Sequence, residues 1–150
     1  MKKFGLIGEK LSHSYSPLIH SKFGDYPFDL CEVSEEELEP LLRREEYGGF
    51  NVTIPYKKTV MKYCDEISDH AKAIGSVNTV VRDSSGRLTG HNTDYYGFSC
   101  LLQTAGIDVR DMKCAVLGSG GASVTVQAVL RDMGAGEIVV ISRSGENNYE

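Results

Sequence analysis

What the 150-residue sequence lacks excludes several classes of protein. No apolar run approaches the roughly 18 residues that a membrane-spanning helix needs, and the apolar part of the N-terminal segment Met1–Gly8 is too short for a signal peptide. Lysine and arginine form no cluster, and the net charge is -5, which argues against a nucleic-acid surface. We therefore expect a cytoplasmic protein that binds a small molecule, with neither a membrane nor a nucleic acid as partner.

Cysteine is scarce and scattered. The four residues, Cys31, Cys64, Cys100 and Cys114, form no C-x-x-C pair and have no histidine at ligand spacing. Neither a zinc site nor a disulfide framework is indicated by this pattern. We expect reduced thiols in the core and no bound metal.

The patterns that are present alternate between strand and helix. With 41% hydrophobic and 25% charged residues, the chain can build one ordinary domain or two small ones. Ser34 followed by Glu37 predicts a capping box at the start of a helix. Helices between strands imply parallel pairing through crossovers, so we expect an α/β domain with a mostly parallel sheet. The predicted strands are 3–8, 27–33, 51–54, 78–82 and 87–90, and the predicted helices are 35–46 and 58–74, the second of them broken near 65–68.

The segment Asn51-Val-Thr-Ile-Pro-Tyr-Lys57 is the centre of the predicted chemistry. Proline ends strand pairing and fits the first turn of a helix, which leaves Thr53 and Lys57 near one strand end. A lysine at such a corner can bind a substrate hydroxyl and take part in proton transfer. The alternative interpretation is a surface lysine in the first turn of a helix.

Two further segments combine polar side chains with a helix start. Ser16-Pro17 predicts a helix capped by Ser16, and the free amides near Ser14 and Ser16 favour a carboxylate or phosphate. Capping alone is the alternative role of Ser16. Further on, the segment His91-Asn-Thr-Asp94 predicts the start of a helix capped by Asn92 or Thr93. Asp94 would lie in the first turn of this helix, where compensation of the helix dipole is the alternative to a functional role.

The last third of the chain has the pattern of a dinucleotide-binding β-α-β unit. A strand at 113–118 runs into Gly118-Ser-Gly-Gly-Ala-Ser123, and a helix to about Met133 and a strand at 137–142 follow. Gly118 and Gly120 occupy the first two fingerprint positions, and Ser123 replaces the third glycine. Where an NAD site places an acid, this chain has Ser142-Arg143-Ser144, and arginine there favours the 2'-phosphate of NADP.

Five motifs in this order resemble the shikimate dehydrogenase family. They are Ser12-His-Ser-Tyr-Ser-Pro17, Asn51-Val-Thr-Ile-Pro-Tyr-Lys57, Gly75-Ser-Val-Asn-Thr79, Asn92-Thr-Asp94 and Gly118-Ser-Gly-Gly-Ala122. The resemblance implies a substrate domain, which we place at residues 1–104, and the start of a Rossmann NADP-binding domain at residues 105–150. It also implies reversible NADP-dependent reduction of 3-dehydroshikimate to shikimate.

The resemblance assigns roles residue by residue. It implies that Lys57 and Asp94 form the catalytic pair, and that both also bind substrate. The other substrate-binding residues that it implies are Ser14, Ser16, Thr53 and Asn78. The cofactor-binding residues are Asp69, Gly118, Ser119, Gly120, Gly121, Ala122, Ser142, Arg143 and Ser144.

Some positions depart from the family pattern and leave alternatives open. Glu9-Lys10 stands where the family usually has a proline, and Ser21 and Ser142 each replace an asparagine. A quinate/shikimate dehydrogenase with relaxed cofactor use and a non-catalytic module that binds shikimate-like acids are the alternatives. A monomer and a homodimer both fit the sequence.

The β-α-β unit is shorter than a complete doubly wound domain, which uses about six strands. The family's C-terminal contacts, including a substrate-binding glutamine, have no counterpart in this sequence. We therefore expect the chain to be the front portion of an enzyme of ~250 to 300 residues.

Overall fold

The computed structural model describes residues 1–143, and they form two compact units. The first unit is Met1–Asn92, and the second begins at Thr93. Helix α4, Asp94–Thr104, belongs to the second unit. The domain division after residue 104 lies at the other end of this helix and stays a prediction.

The first unit is built on a six-stranded sheet with helices between its strands. Its strand order is β2-β1-β3-β5-β6-β4. Strand β1 pairs in parallel with β2 and β3, β4 pairs in parallel with β6, and β5 runs antiparallel to both β3 and β6. The predicted α/β class with a mostly parallel sheet is confirmed. The elements are β1 Lys3–Gly8, α1 Ser16–His20, β2 Phe28–Glu32, α2 Glu35–Leu42, β3 Tyr47–Val52, a 3-10 helix Thr59–Tyr63, β4 Glu66–Ile67, α3 Asp69–Ile74, β5 Thr79–Arg82 and β6 Leu88–His91.

Helix α2 forms where its sequence pattern predicts. The capping box is present, with the Ser34 amide donating to Glu37 Oε2 at 2.8 Å. The helix ends at Leu42, before the predicted end at residue 46. Its buried leucines pack in the main core, and each fully buried leucine stabilises the fold by about 1.5–3 kcal/mol. These leucines are Leu38, Leu41 and Leu42. The other residues of the main core include Ile7, Phe50, Val52, Val60, Val77, Val80 and Leu88.

The break predicted near 65–68 in the helical region 58–74 is present, and strand β4 forms at this break. The 3-10 helix is followed by β4 and then by α3. The reason is pairing with β6, because the Asp65 amide donates to Leu88 O at 2.8 Å and the Leu88 amide donates to Asp65 Oδ2 at 2.7 Å. This pairing is tertiary, so local helix propensity could not predict it.

A buried hydroxyl after α3 yields a stability prediction. Ser76 is 1% exposed, and its Oγ has no hydrogen-bond partner within residues 1–143. An unpaired buried hydroxyl costs about 1–3 kcal/mol, so Ser76→Ala should keep or raise the free energy of unfolding, measured by urea denaturation. The control is Ser68→Ala, which removes a helix cap that accepts from the Ala71 amide and should lose about 1 kcal/mol. A clear loss in Ser76→Ala would contradict the prediction.

The second unit contains the predicted β-α-β element. Strands β7, Lys113–Leu117, and β8, Glu137–Ile141, pair in parallel, and α5, Gly121–Asp132, connects them. The hydroxyl of Tyr95 on α4 donates to Asp132 Oδ2 at 2.7 Å, which fixes α4 to α5. This hydrogen bond raises the pKa of Tyr95 to about 12. The core of this unit contains Leu102, Val109, Val116, Val129 and Leu130.

The cysteines are free thiols. Cys31, Cys64 and Cys114 are half-buried, whereas Cys100 is exposed. The predicted core position is therefore wrong for Cys100, because α4 buries Leu102 rather than this side chain. Burial raises the pKa of Cys64 to about 11. Across residues 1–143, no helix is long and apolar enough to cross a membrane, and no cluster of three or more His, Cys, Asp or Glu side chains could hold a metal ion.

Candidate active site

One edge of the sheet brings several motif residues together. The Thr53 amide donates to Ile7 O at 2.9 Å, and the Val52 amide donates to Asn78 O at 2.7 Å. Since β1 and β3 are parallel and β5 starts opposite the end of β3, the segments carrying Thr53 and Asn78 meet at this edge. The carboxyl ends of parallel strands are the usual place for ligands in α/β sheets.

A cleft of about 540 Å³ opens at this edge and contains three of the predicted substrate-binding residues. Its hydroxyl groups suit a small hydroxylated ligand, and the ammonium of Lys10 favours an anionic one. Sequence reasoning missed Lys10, although its position directly after the first strand was a usable signal. The lining residues are Leu6, Lys10, Leu11, Ser12, His13, Ser14, Ser16 and Thr53.

Gly8 allows close packing of side chains at the wall of this cleft. A Cβ atom on Gly8 would lie 2.6 Å from Leu11 Cδ2 and 2.8 Å from Thr53 Cγ2. Real Cβ atoms do not approach this closely, so a larger residue at this position would displace the side chains of Leu11 and Thr53. The end of β1 is therefore shaped for close contact between the serine loop and β3.

The loop that carries the serines is held by its own hydrogen bonds. The Leu11 amide donates to Glu32 Oε1 at 2.6 Å, and the Ser14 amide donates to Leu11 O at 2.9 Å. The Ser14 hydroxyl accepts from the Ser16 amide at 3.2 Å. The predicted capping role of Ser16 is wrong, because Tyr15 occupies the cap position and Ser16 is the first helical residue.

Lys57 lies in a turn rather than in a helix. The 3-10 helix begins only at Thr59, so the alternative interpretation, a surface lysine in the first turn of a helix, is wrong. Its backbone carbonyl accepts from the Val77 amide at 2.8 Å, and the Lys57 residue is half-buried. Because Asn78 follows Val77, the first unit brings the backbone of Lys57 next to the segment that carries Asn78.

Asp94 is the first residue of α4, as its sequence pattern predicts. Thr93 stands at the cap position, and the side-chain amide of Asn92 donates to Ser76 O at 2.9 Å. Asp94 belongs to the second unit and Lys57 to the first, and their catalytic pairing stays a prediction.

A second cleft, of about 350 Å³, lies between α4 and α5. It brings Asp94 together with Ala122, which the sequence assigns to the cofactor-binding turn. The rest of its surface is mostly apolar and includes Phe98, Leu101 and Val126. The second unit thus joins a predicted catalytic acid and a predicted cofactor residue in one apolar cleft.

The glycine turn has the backbone that the fingerprint requires. Gly118 has φ 107°, a left-handed conformation that favours glycine, and Gly120 directly precedes α5. A Cβ atom built on either glycine meets no described atom within 4 Å. The turn is therefore open for close approach of a pyrophosphate, and Ser119, Gly121 and Ala122 complete it.

The arginine predicted to select NADP lies beside this turn. The Gly118 amide donates to Ile141 O at 2.8 Å, so the chain leaves β8 next to the glycines. Ser142 is buried and Arg143 is exposed, whereas Ser144 lies outside the described residues. An exposed guanidinium at this position fits a phosphate ligand.

Asp69 is the first residue of α3 and is exposed. Ser68 caps this helix, so an acid in its first turn also serves the helix dipole. In the structure Asp69 is thus placed to interact with the dipole of α3, and its predicted role in binding the cofactor stays a prediction.

Comparison with known proteins identifies relatives over nearly the whole chain. Residues 6–80 match the family model described as the shikimate dehydrogenase substrate binding domain. The shikimate dehydrogenase (NADP(+)) of Clostridium beijerinckii is 46% identical over 99% of this chain, which covers 57% of that protein. The Clostridium perfringens enzyme of the same name is 45% identical over all of this chain and 58% of its own length.

Solved structures agree with these sequence relatives. A shikimate dehydrogenase from Peptoclostridium difficile superposes with a TM-score of 0.89 at 38% identity, over 97% of this chain and 57% of that chain. A shikimate 5-dehydrogenase from Thermus thermophilus, in complex with NADP(H) and shikimate, gives a TM-score of 0.85 at 34% identity, over 96% of this chain and 57% of that chain.

The present chain thus spans a little over half the length of the relatives that it matches. The family model covers the serine loop, the strand β3 and the turn that carries Lys57. The glycine turn and Arg143 lie within the longer matches. The chain belongs to the shikimate dehydrogenase family.

Proposed function

We propose that this chain acts in an NADP-dependent shikimate dehydrogenase, which reduces 3-dehydroshikimate reversibly to shikimate. The observation that carries the proposal is the cleft in which Ser14, Ser16 and Thr53 meet. Hydroxyl donors beside the ammonium of Lys10 suit an acid that carries several hydroxyl groups. Solved relatives of the same family contain shikimate together with a nicotinamide cofactor.

The chemistry divides between cofactor and protein. The nicotinamide, when bound, supplies the hydride. Lys57 binds the oxygen of the carbon that is reduced and takes part in its proton transfer. Asp94 orients Lys57 and binds a neighbouring hydroxyl, and a role as the general base is the alternative for Asp94.

The cofactor site is supported by two features of the second unit. The open turn at Gly118 and Gly120 accommodates a pyrophosphate at the start of α5. Arg143 provides the charge that a 2'-phosphate needs. A second candidate function, with relaxed cofactor choice, is favoured by a Listeria monocytogenes structure with shikimate and NAD, which is 36% identical with a TM-score of 0.84.

The test is a spectrophotometric assay of nicotinamide reduction. Shikimate and quinate are each offered with NADP and with NAD, and binding of each acid is measured separately by calorimetry. We expect the highest kcat/KM for shikimate with NADP. Higher activity with quinate or NAD would favour the second candidate, and acid binding without turnover in any combination by the complete enzyme that contains this chain would identify a non-catalytic module.

Replacing the serines should weaken binding of the substrate acid selectively. We expect Ser14→Ala and Ser16→Ala each to weaken shikimate binding by about tenfold, since a hydrogen bond to a charged group contributes about 1.5–3 kcal/mol. Binding of a shikimate analogue without the carboxylate should change little. Calorimetry with both ligands and a melting curve for each variant make the comparison. Equal losses for both ligands with a lower Tm would show that the serines only shape the loop.

Arg143 should set the preference for NADP over NAD. We expect Arg143→Ala to reduce the NADP-to-NAD ratio of kcat/KM by at least tenfold, because the guanidinium pairs with the 2'-phosphate. Positions 142 and 143 are serine and arginine, so neither offers a carboxylate that could bind the ribose hydroxyl of NAD. Arg143→Lys is the matched control and should keep part of the preference. An unchanged ratio in Arg143→Ala would show that another group reads the 2'-phosphate.

The cytoplasmic location and the choice between monomer and homodimer stay predictions.

A further inference from the structure

His20 uses both of its ring nitrogens in contacts that no role assigned so far explains. Its Nε2 lies 3.0 Å from Asn51 Oδ1, and its Nδ1 lies 2.9 Å from the Tyr26 hydroxyl. The ring also stacks on Phe28, with 3.9 Å between ring centroids and 22° between ring planes. The imidazole is therefore fixed in position, in orientation and in hydrogen bonding.

The contact with Asn51 connects the two walls of the candidate substrate cleft. His20 lies four residues after Ser16 in α1, so the two side chains share one face of that helix. Asn51 lies in β3, and Thr53 directly follows the end of this strand, two residues after Asn51. Ser16 and Thr53 both line the cleft. The His20–Asn51 hydrogen bond thus ties the serine wall to the threonine wall.

The chemistry of the partners determines the tautomer. A carbonyl oxygen only accepts, so Asn51 Oδ1 requires the proton on Nε2. In that tautomer Nδ1 accepts, and the Tyr26 hydroxyl donates to it. A second hydrogen bond that fixes the tautomer and the ring orientation is the usual arrangement for a histidine that positions another group.

Helix α1 depends on this bridge because it is short and little buried. Every one of its five residues is at least partly exposed, and Leu18 and Ile19 are 61% and 52% exposed. Hydrophobic packing therefore holds α1 weakly against the sheet. The start of the serine loop has its own anchor, the bond from the Leu11 amide to Glu32. His20 supplies the corresponding anchor at the other end of the loop.

We propose that His20 is a positioning residue, which holds Ser16 opposite Thr53 through its hydrogen bond to Asn51 and so sets the affinity for the substrate acid. The inference rests on the proposed function, because it concerns the same cleft. His20 itself need not touch the substrate. Its loss should therefore change substrate affinity and KM more than kcat.

The first experiment tests the bridge without any ligand. Long-range ¹⁵N NMR correlation of the imidazole in the folded protein reports which ring nitrogen carries the proton. We expect the proton on Nε2 in the wild type. A proton on Nδ1 would overturn the inference whatever the protein catalyses.

The second experiment measures shikimate affinity in matched variants. His20→Phe keeps an aromatic ring on Phe28 but removes both hydrogen bonds, and we expect about tenfold weaker binding, the factor that one hydrogen bond of ordinary strength provides. His20→Gln places an amide donor near Asn51 and should recover most of the affinity. Tyr26→Phe removes only the contact at Nδ1 and should change the Kd by less than about threefold. The change in kcat should stay below threefold in each variant.

The outcomes separate this inference from the proposed function. If the wild type binds shikimate and His20→Phe binds it equally well, the positioning role is wrong and the proposed function stands. If the wild type binds no shikimate, both are wrong. Should His20→Phe fail to fold, Asn51→Leu removes the same hydrogen bond from the sheet side, and unchanged affinity in that variant would overturn the inference.

Discussion

Replacing Lys57 with alanine is expected to lower kcat for shikimate by about 100-fold to 10,000-fold, the range typical of a group in acid–base catalysis. KM should change much less, because a group that acts on developing charge and on a moving proton contributes more in the transition state than in the ground state. Steady-state kinetics with saturating NADP separate the two constants. A loss confined to KM would show that Lys57 only binds substrate.

The neighbouring lysine provides the control for this variant. Lys58 is exposed and directly precedes the 3-10 helix, so Lys58→Ala removes the same charge one position away. It should leave both kcat and KM within about twofold of the wild type, as expected for an exposed position. If Lys58→Ala lowers kcat as much as Lys57→Ala, the loss comes from the general charge of the turn rather than from Lys57.

The parts of the fold that follow local rules could be predicted from the sequence. The box of Ser34 and Glu37 fixes the start of α2, and the turn at Asp83–Gly86 fixes the β5–β6 hairpin. The glycine turn before α5 has the backbone that its pattern requires. In each case the determining contacts lie within a few residues of one another, so they are visible in the sequence.

The parts that depend on distant contacts could not be predicted. The predicted break near 65–68 is a strand, β4, because Asp65 pairs with Leu88, which lies 23 residues away, and the sequence does not show this pairing. Lys10 shares the cleft with Thr53, and although its position after β1 pointed to this end of the sheet, the meeting of these two segments is a tertiary contact. The cap of α1 shifts by one residue, since the Ser14 hydroxyl takes the Ser16 amide. The motifs thus predict which segments carry the candidate site, while the walls of its cleft depend on tertiary packing.

The second prediction with a large expected effect concerns Gly120. A Cβ atom on Gly120 meets no described atom within 4 Å, so the protein itself tolerates alanine there. In the dinucleotide-binding fingerprint, however, the second glycine allows the backbone to approach the pyrophosphate. We therefore expect Gly120→Ala to weaken NADP binding by more than about tenfold, a factor that corresponds to 1.4 kcal/mol.

The fold of the Gly120→Ala variant should be almost unchanged. Alanine is a poorer cap than glycine by somewhat under 1 kcal/mol, and it also reduces the entropy of the unfolded chain, which stabilises by about 0.4–1 kcal/mol. These two effects oppose each other. The Tm should therefore move by less than about 3 °C, since 1 kcal/mol corresponds to roughly 2–4 °C or slightly more in a protein of this size.

Gly118→Ala is the matched comparison and should behave differently. Gly118 has φ 107°, so alanine there strains the backbone by about 1–2 kcal/mol and should lower the Tm as well as NADP binding. Melting curves and NADP titrations of both variants separate backbone strain from a clash with the cofactor. If Gly120→Ala binds NADP as tightly as the wild type while Gly118→Ala does not, the pyrophosphate does not approach this turn at Gly120, and the cofactor must be held by other groups of the β-α-β unit.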